Sequence, residues 1–246
     1  MTRLPTQCGY LLAVLLAGWC LLPMAAEEKE AGTGKPPAPP DDVPLVKRVI
    51  AARLEYQSSL EQLRAHYLQQ GDMERTHWVE EELLSYHRIS KRAYRLELDV
   101  PPPTLQPMYS IPEANEQFRR AMSYKGKGWL SAHDDNLRRA EILFQQILGV
   151  YPQCDKIAET AYQLGEIYES RAFRHYRRAA VYYERSFQWN PSSATDARLR
   201  AARLYDKLLQ DRSKAVQLYR EVTRHDTDQK RVDEATKRLR EMSAAP

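Results

Sequence analysis

Residues 161–191 read AYQLGEIYESRAFRHYRRAAVYYERSFQWNP, and the spacing inside this stretch decides the fold. Tyr162, Gly165 and Tyr168 recur every three positions, Ala179, Tyr183 and Ser186 follow at four and three, and Pro191 closes the run. Residues three and four apart share one face of a helix. The stretch therefore predicts two helices, each with a small residue where its neighbour approaches and aromatic rings filling the wedge beside it. Proline ends the unit because it lacks an amide hydrogen and clashes with the preceding turn. Gly165 inside a helix costs about 1 kcal/mol relative to alanine, which points to a close contact there.

Both patterns recur on either side of this stretch. Phe118/Ala121/Tyr124 and Leu199/Ala202/Tyr205 repeat the first; Ala140/Phe144/Ile147 and Ala215/Tyr219/Val222 repeat the second. Pro152, Pro191 and Thr227 each stand five residues beyond the second pattern. The alanines lie 39 and 36 residues apart and the small positions 44 and 37. Two patterns in fixed order, three times over, mark internal repeats. Residues 229–242 (QKRVDEATKRLREM), with Val232, Ala235 and Leu239 on one face, read as the polar-backed helix that caps such an array.

The segment 113–228 resembles tetratricopeptide (TPR) repeats through Ala161-Tyr162-Gln163-Leu164-Gly165-Glu166-Ile167-Tyr168 followed by Ala179, Tyr183 and Pro191. The string Tyr151-Pro152-Gln153-Cys154-Asp155 ahead of Ala161 is similar to exported envelope TPR proteins of the BamD and CpoB type. The repeats run longer than the usual 34 residues. The first carries a Gly-rich loop (Lys125-Gly126-Lys127-Gly128), and the third lacks both the Leu-Gly pair and the closing proline. The resemblance implies an α-solenoid of about three helix pairs whose first helices line a groove. Carried over, the groove residues are Glu159, Tyr162, Gln163, Glu166 and Glu169 from one repeat, and Leu199, Arg203, Asp206 and Lys207 from the next. This lining is mixed in charge around tyrosine, suited to a protein or peptide partner.

Composition agrees with an all-α chain. Nine glycines occur in 246 residues, charged residues make up 28%, and the fifteen prolines leave four proline-free windows at 45–100, 113–151, 153–190 and 192–245. An all-β chain would carry turn residues every 8–12 positions. Window 45–100 predicts an αα-hairpin over 45–99. Val46, Val49, Tyr56, Leu60, Leu63 and Tyr67 form the first stripe; Met73, Val79, Leu83, Tyr86, Ile89, Ala93 and Leu96 form the second. Gly71 supplies a left-handed stop and Asp72 the next N-cap. Such a hairpin is also a candidate homo-oligomerisation arm. The run 100–112 (VPPPTLQPMYSIP), with five prolines, predicts a stiff spacer.

The N-terminus reads as a secretory signal over 1–26: Arg3, an apolar core Tyr10–Leu22, and the small-residue exit Ala25-Ala26. An uncleaved anchor from Cys8 to Ala26 is the alternative, and would be the only membrane contact. Residues 27–44 (EEKEAGTGKPPAPPDDVP) predict a disordered Pro-rich tether. Two of the three cysteines fall in the leader, so the exported chain would keep Cys154 alone and form no internal disulfide. Cys154 reads as a small packing residue at a helix start.

Chemistry-bearing motifs are absent from the sequence: no HExxH, GxSxG, CxxC or complete Walker motif occurs. No catalytic residue, metal ligand or cofactor is expected. His133-Asp134-Asp135 read as caps of a helix beginning near Asn136, and Glu80-Glu81-Glu82 as a solvated face. The run Arg171–Arg178, continuing through Tyr182, Tyr183 and Arg185, mixes guanidinium with aromatic rings, a mixture suited to acidic peptides, phosphate or single-stranded nucleic acid; the favoured reading is an Arg-rich outer face over core aromatics. With 37 Lys and Arg against 33 Asp and Glu, net charge is +4 and evenly interleaved, which with export argues against nucleic acid. The expectation is an exported, non-enzymatic TPR-like scaffold of the periplasm that binds a protein in the cell envelope.

Overall fold

The computed structural model describes residues 41–129 and 131–244. The expected signal 1–26 and residues 27–40 of the expected tether lie outside the described residues. Within them the chain is all-α, with no strand beyond an isolated bridge between Tyr109 and Cys154. The helices are α1 (Val43–Gln70), α2 (Met73–Arg88), α3 (Leu96–Asp99), α4 (Pro112–Lys125), α5 (Ser131–Val150), α6 (Ile157–Glu169), α7 (Tyr176–Trp189), α8 (Ala197–Lys207), α9 (Arg212–His225) and α10 (Gln229–Ala244).

α1 and α2 pair across a two-residue turn. Gly71 takes φ 73°, the left-handed conformation a helix stop requires, and the Asp72 carboxylate accepts from the Arg75 amide at 3.0 Å. Leu60, Val79 and Leu83 form a small separate core with Tyr67 against it. The second helix is shorter than its stripe predicts: α2 ends at Arg88, and 89–95 run on without helix. Lys91 Nζ donates to the Tyr86 carbonyl at 3.1 Å, satisfying one of the acceptors freed at the helix end. The chain leaves the hairpin because Leu96 and Val100 are drawn into the main core instead.

Every member of the repeat patterns faces that core. Ala121, Ala140, Phe144, Ile147, Tyr168, Ala179, Tyr183, Ala202, Ala215, Tyr219 and Val222 are fully enclosed, and Phe118, Leu199 and Ser186 nearly so. The small residues do what their spacing implies. A Cβ built on Gly165 of α6 would lie 2.6 Å from the Tyr183 ring of α7, so only glycine admits that ring. From α4 to α10 each helix packs on the next in sequence. Hydrogen-bonded side chains join α4 to α6, α6 to α8 and α8 to α10, and likewise α5 to α7 and α7 to α9. The first and second helices of the pairs thus form two rows, with α10 closing one end through Ala235 and Met242. α2 abuts α5, where Arg88 holds Asp135 at 2.8 Å. That pairing, and a helix start at Ser131, replace the cap expected of Asp135.

The run 100–112 is a strap and not a free spacer. Arg185 Nε donates to the Pro101 carbonyl at 2.8 Å and Trp189 Nε1 to the Pro102 carbonyl at 3.0 Å. Farther on, the Met108 and Tyr109 amides donate to the Gln153 carbonyl, and the Asp155 amide donates to the Tyr109 carbonyl. Proline lacks an amide donor but keeps its carbonyl, so this extended run offers acceptors to donors on α7. Cys154 is fully buried beside the strap, its thiol pKa pushed up by burial, as expected of a packing residue.

Candidate functional site

The residues carried over as groove lining come from α6 and α8, and the structure shows how much of each is available. Glu159 is exposed and pairs only with Lys156 one turn away. Tyr162 is half-buried and donates to Asp196 Oδ1 at 2.7 Å; burial, with that acceptor beside it, raises its phenol pKa. Gln163 is buried and accepts from Lys125 of α4. Lys125 also donates to Glu166, whose other oxygen lies 3.2 Å from Arg200 of α8. Glu169 accepts from the Tyr183 hydroxyl at 2.6 Å and stands 3.4 Å from Arg200. Leu199 is buried, 2% exposed, and belongs to the core; it lines no groove. The three-residue spacing that makes it a packing position turns it away from solvent.

Beyond Leu199 the pairing continues. Arg203 Nε donates to Glu234 of α10 at 2.7 Å, holding that carboxyl below the usual range. Asp206 accepts from Arg238 of α10 at 2.6 Å and from the Tyr219 hydroxyl at 3.2 Å; burial pushes the Tyr219 pKa up to about 12. Lys207 is exposed. A hollow of about 310 Å³ opens beside Asp206 and Arg238, bordered also by Gln210, Glu241 and Met242.

The row α4, α6, α8 and α10 is therefore stitched by an ion-pair ladder: Lys125 to Glu166, Glu166 and Glu169 to Arg200, Arg203 to Glu234, Asp206 to Arg238. Arg200 is its centre, with Asp196 at 2.9 Å one turn back and the Tyr183 hydroxyl at 3.2 Å. These side chains are mostly one-quarter to two-fifths exposed, so solvent reaches them. Of the expected groove residues, seven stand along this row or at its edges as solvent-accessible groups, whereas Gln163 and Leu199 are buried. The ladder partners Lys125, Asp196, Arg200, Glu234 and Arg238 are not singled out by sequence reasoning. Their signal is present as opposite charges at matching offsets in successive repeats, but which pairs meet depends on how the helices stack.

The basic-aromatic run divides. Arg171, Arg174 and Arg177 are exposed and Tyr182 and Tyr183 are core, as the outer-face reading expects. Arg178 departs from it: its side chain is only 10% exposed and its guanidinium lies 4.3 Å over the Tyr168 ring. Among Glu80, Glu81 and Glu82, all exposed, each has a partner: Arg64, His77 and the Tyr56 hydroxyl. Among the described residues no three His, Cys, Asp or Glu side chains are grouped to hold a metal, and no helix is long and apolar enough to cross a membrane. Compared with known proteins, the chain matches no family model and no curated sequence.

Proposed function

We propose that the chain is an exported, non-enzymatic TPR-like scaffold that binds a protein or peptide partner in the cell envelope along the α4–α6–α8–α10 side. The observation that carries this reading is the ladder itself, a continuous strip of partly exposed alternating charge with Tyr162 beside it. Repeats that bury their small and aromatic positions against one another present their first helices as one extended surface. A partner's charged side chains exchange most readily with the more exposed pairs such as Arg203–Glu234, because surface ion pairs are worth only about 0–1 kcal/mol each. Export is supported by Arg3, the apolar core Tyr10–Leu22 and the single cysteine beyond the leader. The test is a crosslinking pull-down from envelope extract with the chain and with Tyr162→Ala/Arg203→Glu, both checked for helicity. A defined partner lost in the double variant supports the reading; equal recovery by both refutes it.

A second reading rests on a different observation. α1 spans 28 residues yet buries only Val46 and Leu60, leaving Leu45, Val49, Leu54, Tyr56, Leu63 and Leu68 exposed. Exposed apolar area on this scale marks an interaction surface. On this reading the hairpin is a self-association arm and the repeats are its spacer. Sedimentation at rising concentration separates the two: a dimer abolished by Leu54→Lys favours the arm.

A further inference from the structure

A second polar cluster lies away from the ladder, on the other row, where the segment after α2 meets α5, α6 and α7. It surrounds a cavity of about 60 Å³, room for roughly four waters. Four cations line it: Arg88 at the end of α2, Lys91, Arg138 of α5 and Arg178 of α7. Arg88 is already held by Asp135. One carboxylate, Glu141, lines it too, and accepts the Tyr168 hydroxyl at 2.6 Å. Asp99, outside the lining, stands 3.9 Å from Arg178, beyond hydrogen-bond reach. Arg53 and Arg92 add positive potential from outside the cavity.

The donors here are not used up. Arg178 is nine-tenths buried, and its Nε has no partner; the buried Nε of Arg138 has none either. Lys91 gives one hydrogen bond, to the Tyr86 carbonyl, and an ammonium carries three donors. His87 Nε2 is also buried and unpartnered. Burial and neighbouring cations lower the pKa of both histidines of the wall, that of His87 to about 4. Burying cations without matching anions is costly, and leaving their donors unmade adds to that cost. Around the cavity the cations exceed the carboxylates, and they come from separate elements. A planar carboxylate offers two oxygens; a tetrahedral oxyanion offers four and carries the larger charge.

We propose that this cavity binds a single phosphate-class oxyanion, held by Arg178, Arg138 and Lys91. The anion ties the segment after α2 to α5 and α7, so it fastens the hairpin to the repeats. The inference is independent of the scaffold reading, since none of these residues belongs to the ladder.

The test is isothermal titration of the full chain with inorganic phosphate, at ionic strength held constant with chloride. Arg138→Gln and Lys91→Gln are the probing variants, because both side chains reach solvent and neither is enclosed in the core. Arg120→Gln, exposed on α4, is the control. One saturable site is expected, weakened about tenfold or more in each probing variant and unchanged in the control. Arg178→Met is expected to abolish binding, with helicity checked by circular dichroism. No saturable heat in the unaltered chain, or equal binding by all variants, overturns the proposal. Acetate binding as tightly as phosphate overturns the choice of a tetrahedral anion.

Discussion

Gly165→Ala is the sharpest test of how the repeats hold together. In an open helix this change stabilises by about 1 kcal/mol, because alanine loses less backbone entropy than glycine. In α6 the new methyl group meets Tyr183 Cδ1 and Cε1 at 2.6 Å, about 1 Å inside normal contact. The ring has nowhere to go. It is fully enclosed, and its hydroxyl is anchored on Glu169 at 2.6 Å with Arg200 at 3.2 Å. Overpacking of this kind costs about 1–3 kcal/mol. Shifting the ring also weakens a hydrogen bond to a carboxylate, of a class worth about 1.5–3 kcal/mol. Setting the helical gain against these leaves a net loss of about 2 kcal/mol. For a folded unit of this size that lowers Tm by roughly 4–8 °C. Gly149→Ala is the matched control, since nothing lies within 4 Å of a Cβ built there. It should leave Tm unchanged or raise it slightly. Thermal melts by circular dichroism of the two variants decide the matter. If Gly165→Ala melts at or above the parent temperature, the close α6–α7 approach is not what holds this glycine in place.

Three further outcomes follow from the geometry. Arg200→Gln leaves Glu166, Glu169 and Asp196 without their shared cation, and should cost about 1–2 kcal/mol in urea unfolding. That loss should shrink in Glu169→Gln, where one repelling carboxylate is already gone. Trp189→Phe removes the indole donor to the Pro102 carbonyl, and should cost about 1 kcal/mol and speed proteolytic nicking within 100–112. His87 is held neutral, its pKa lowered from 6.5 to about 4 chiefly by burial and then by Lys91. The unfolded chain therefore binds a proton that the folded chain refuses between pH 6.5 and 4, and stability falls as pH drops through that window. At 1.36 kcal/mol per unit, reduced for partial exposure, the loss is about 1–2 kcal/mol. His87→Gln should flatten the slope of Tm against pH there.

Much of the helical framework is legible in the residue order. Proline spacing separates the helices because a missing amide and a ring clash act at any site, whatever surrounds it. Gly71-Asp72 reads as a helix junction for a similarly local reason, and both residues take the expected conformations. The repeat triads are visible because helical periodicity alone puts them on one face, and that face is buried. Where sequence and structure part, the cause is distant along the chain. The apolar stripe continues past Arg88 through Ile89, Ala93 and Leu96, yet α2 stops because the larger core competes for Leu96 and Val100. The strap reads as a spacer since nothing local shows that Arg185 and Trp189, more than eighty residues on, reach its carbonyls.

The candidate sites divide along the same line. The TPR resemblance places Tyr162, Glu166, Glu169, Arg203 and Asp206 along one side; the ladder includes the four charged ones, and Tyr162 lies beside it. For Leu199 the carry-over from the resemblance misleads, whereas its place in the packing triad Leu199/Ala202/Tyr205 gives its burial correctly. The cationic cavity is only partly legible in sequence: Arg178 stands in the basic-aromatic run 171–178, whereas Lys91 and Arg138 sit in separate segments as ordinary basic residues. Helical period and proline act within a few residues, so residue order suffices to say which segments are helical and which of their faces are apolar. Which charges meet, and which are left facing a cavity, is set by how successive helices stack, because those partners come together only across the packed rows.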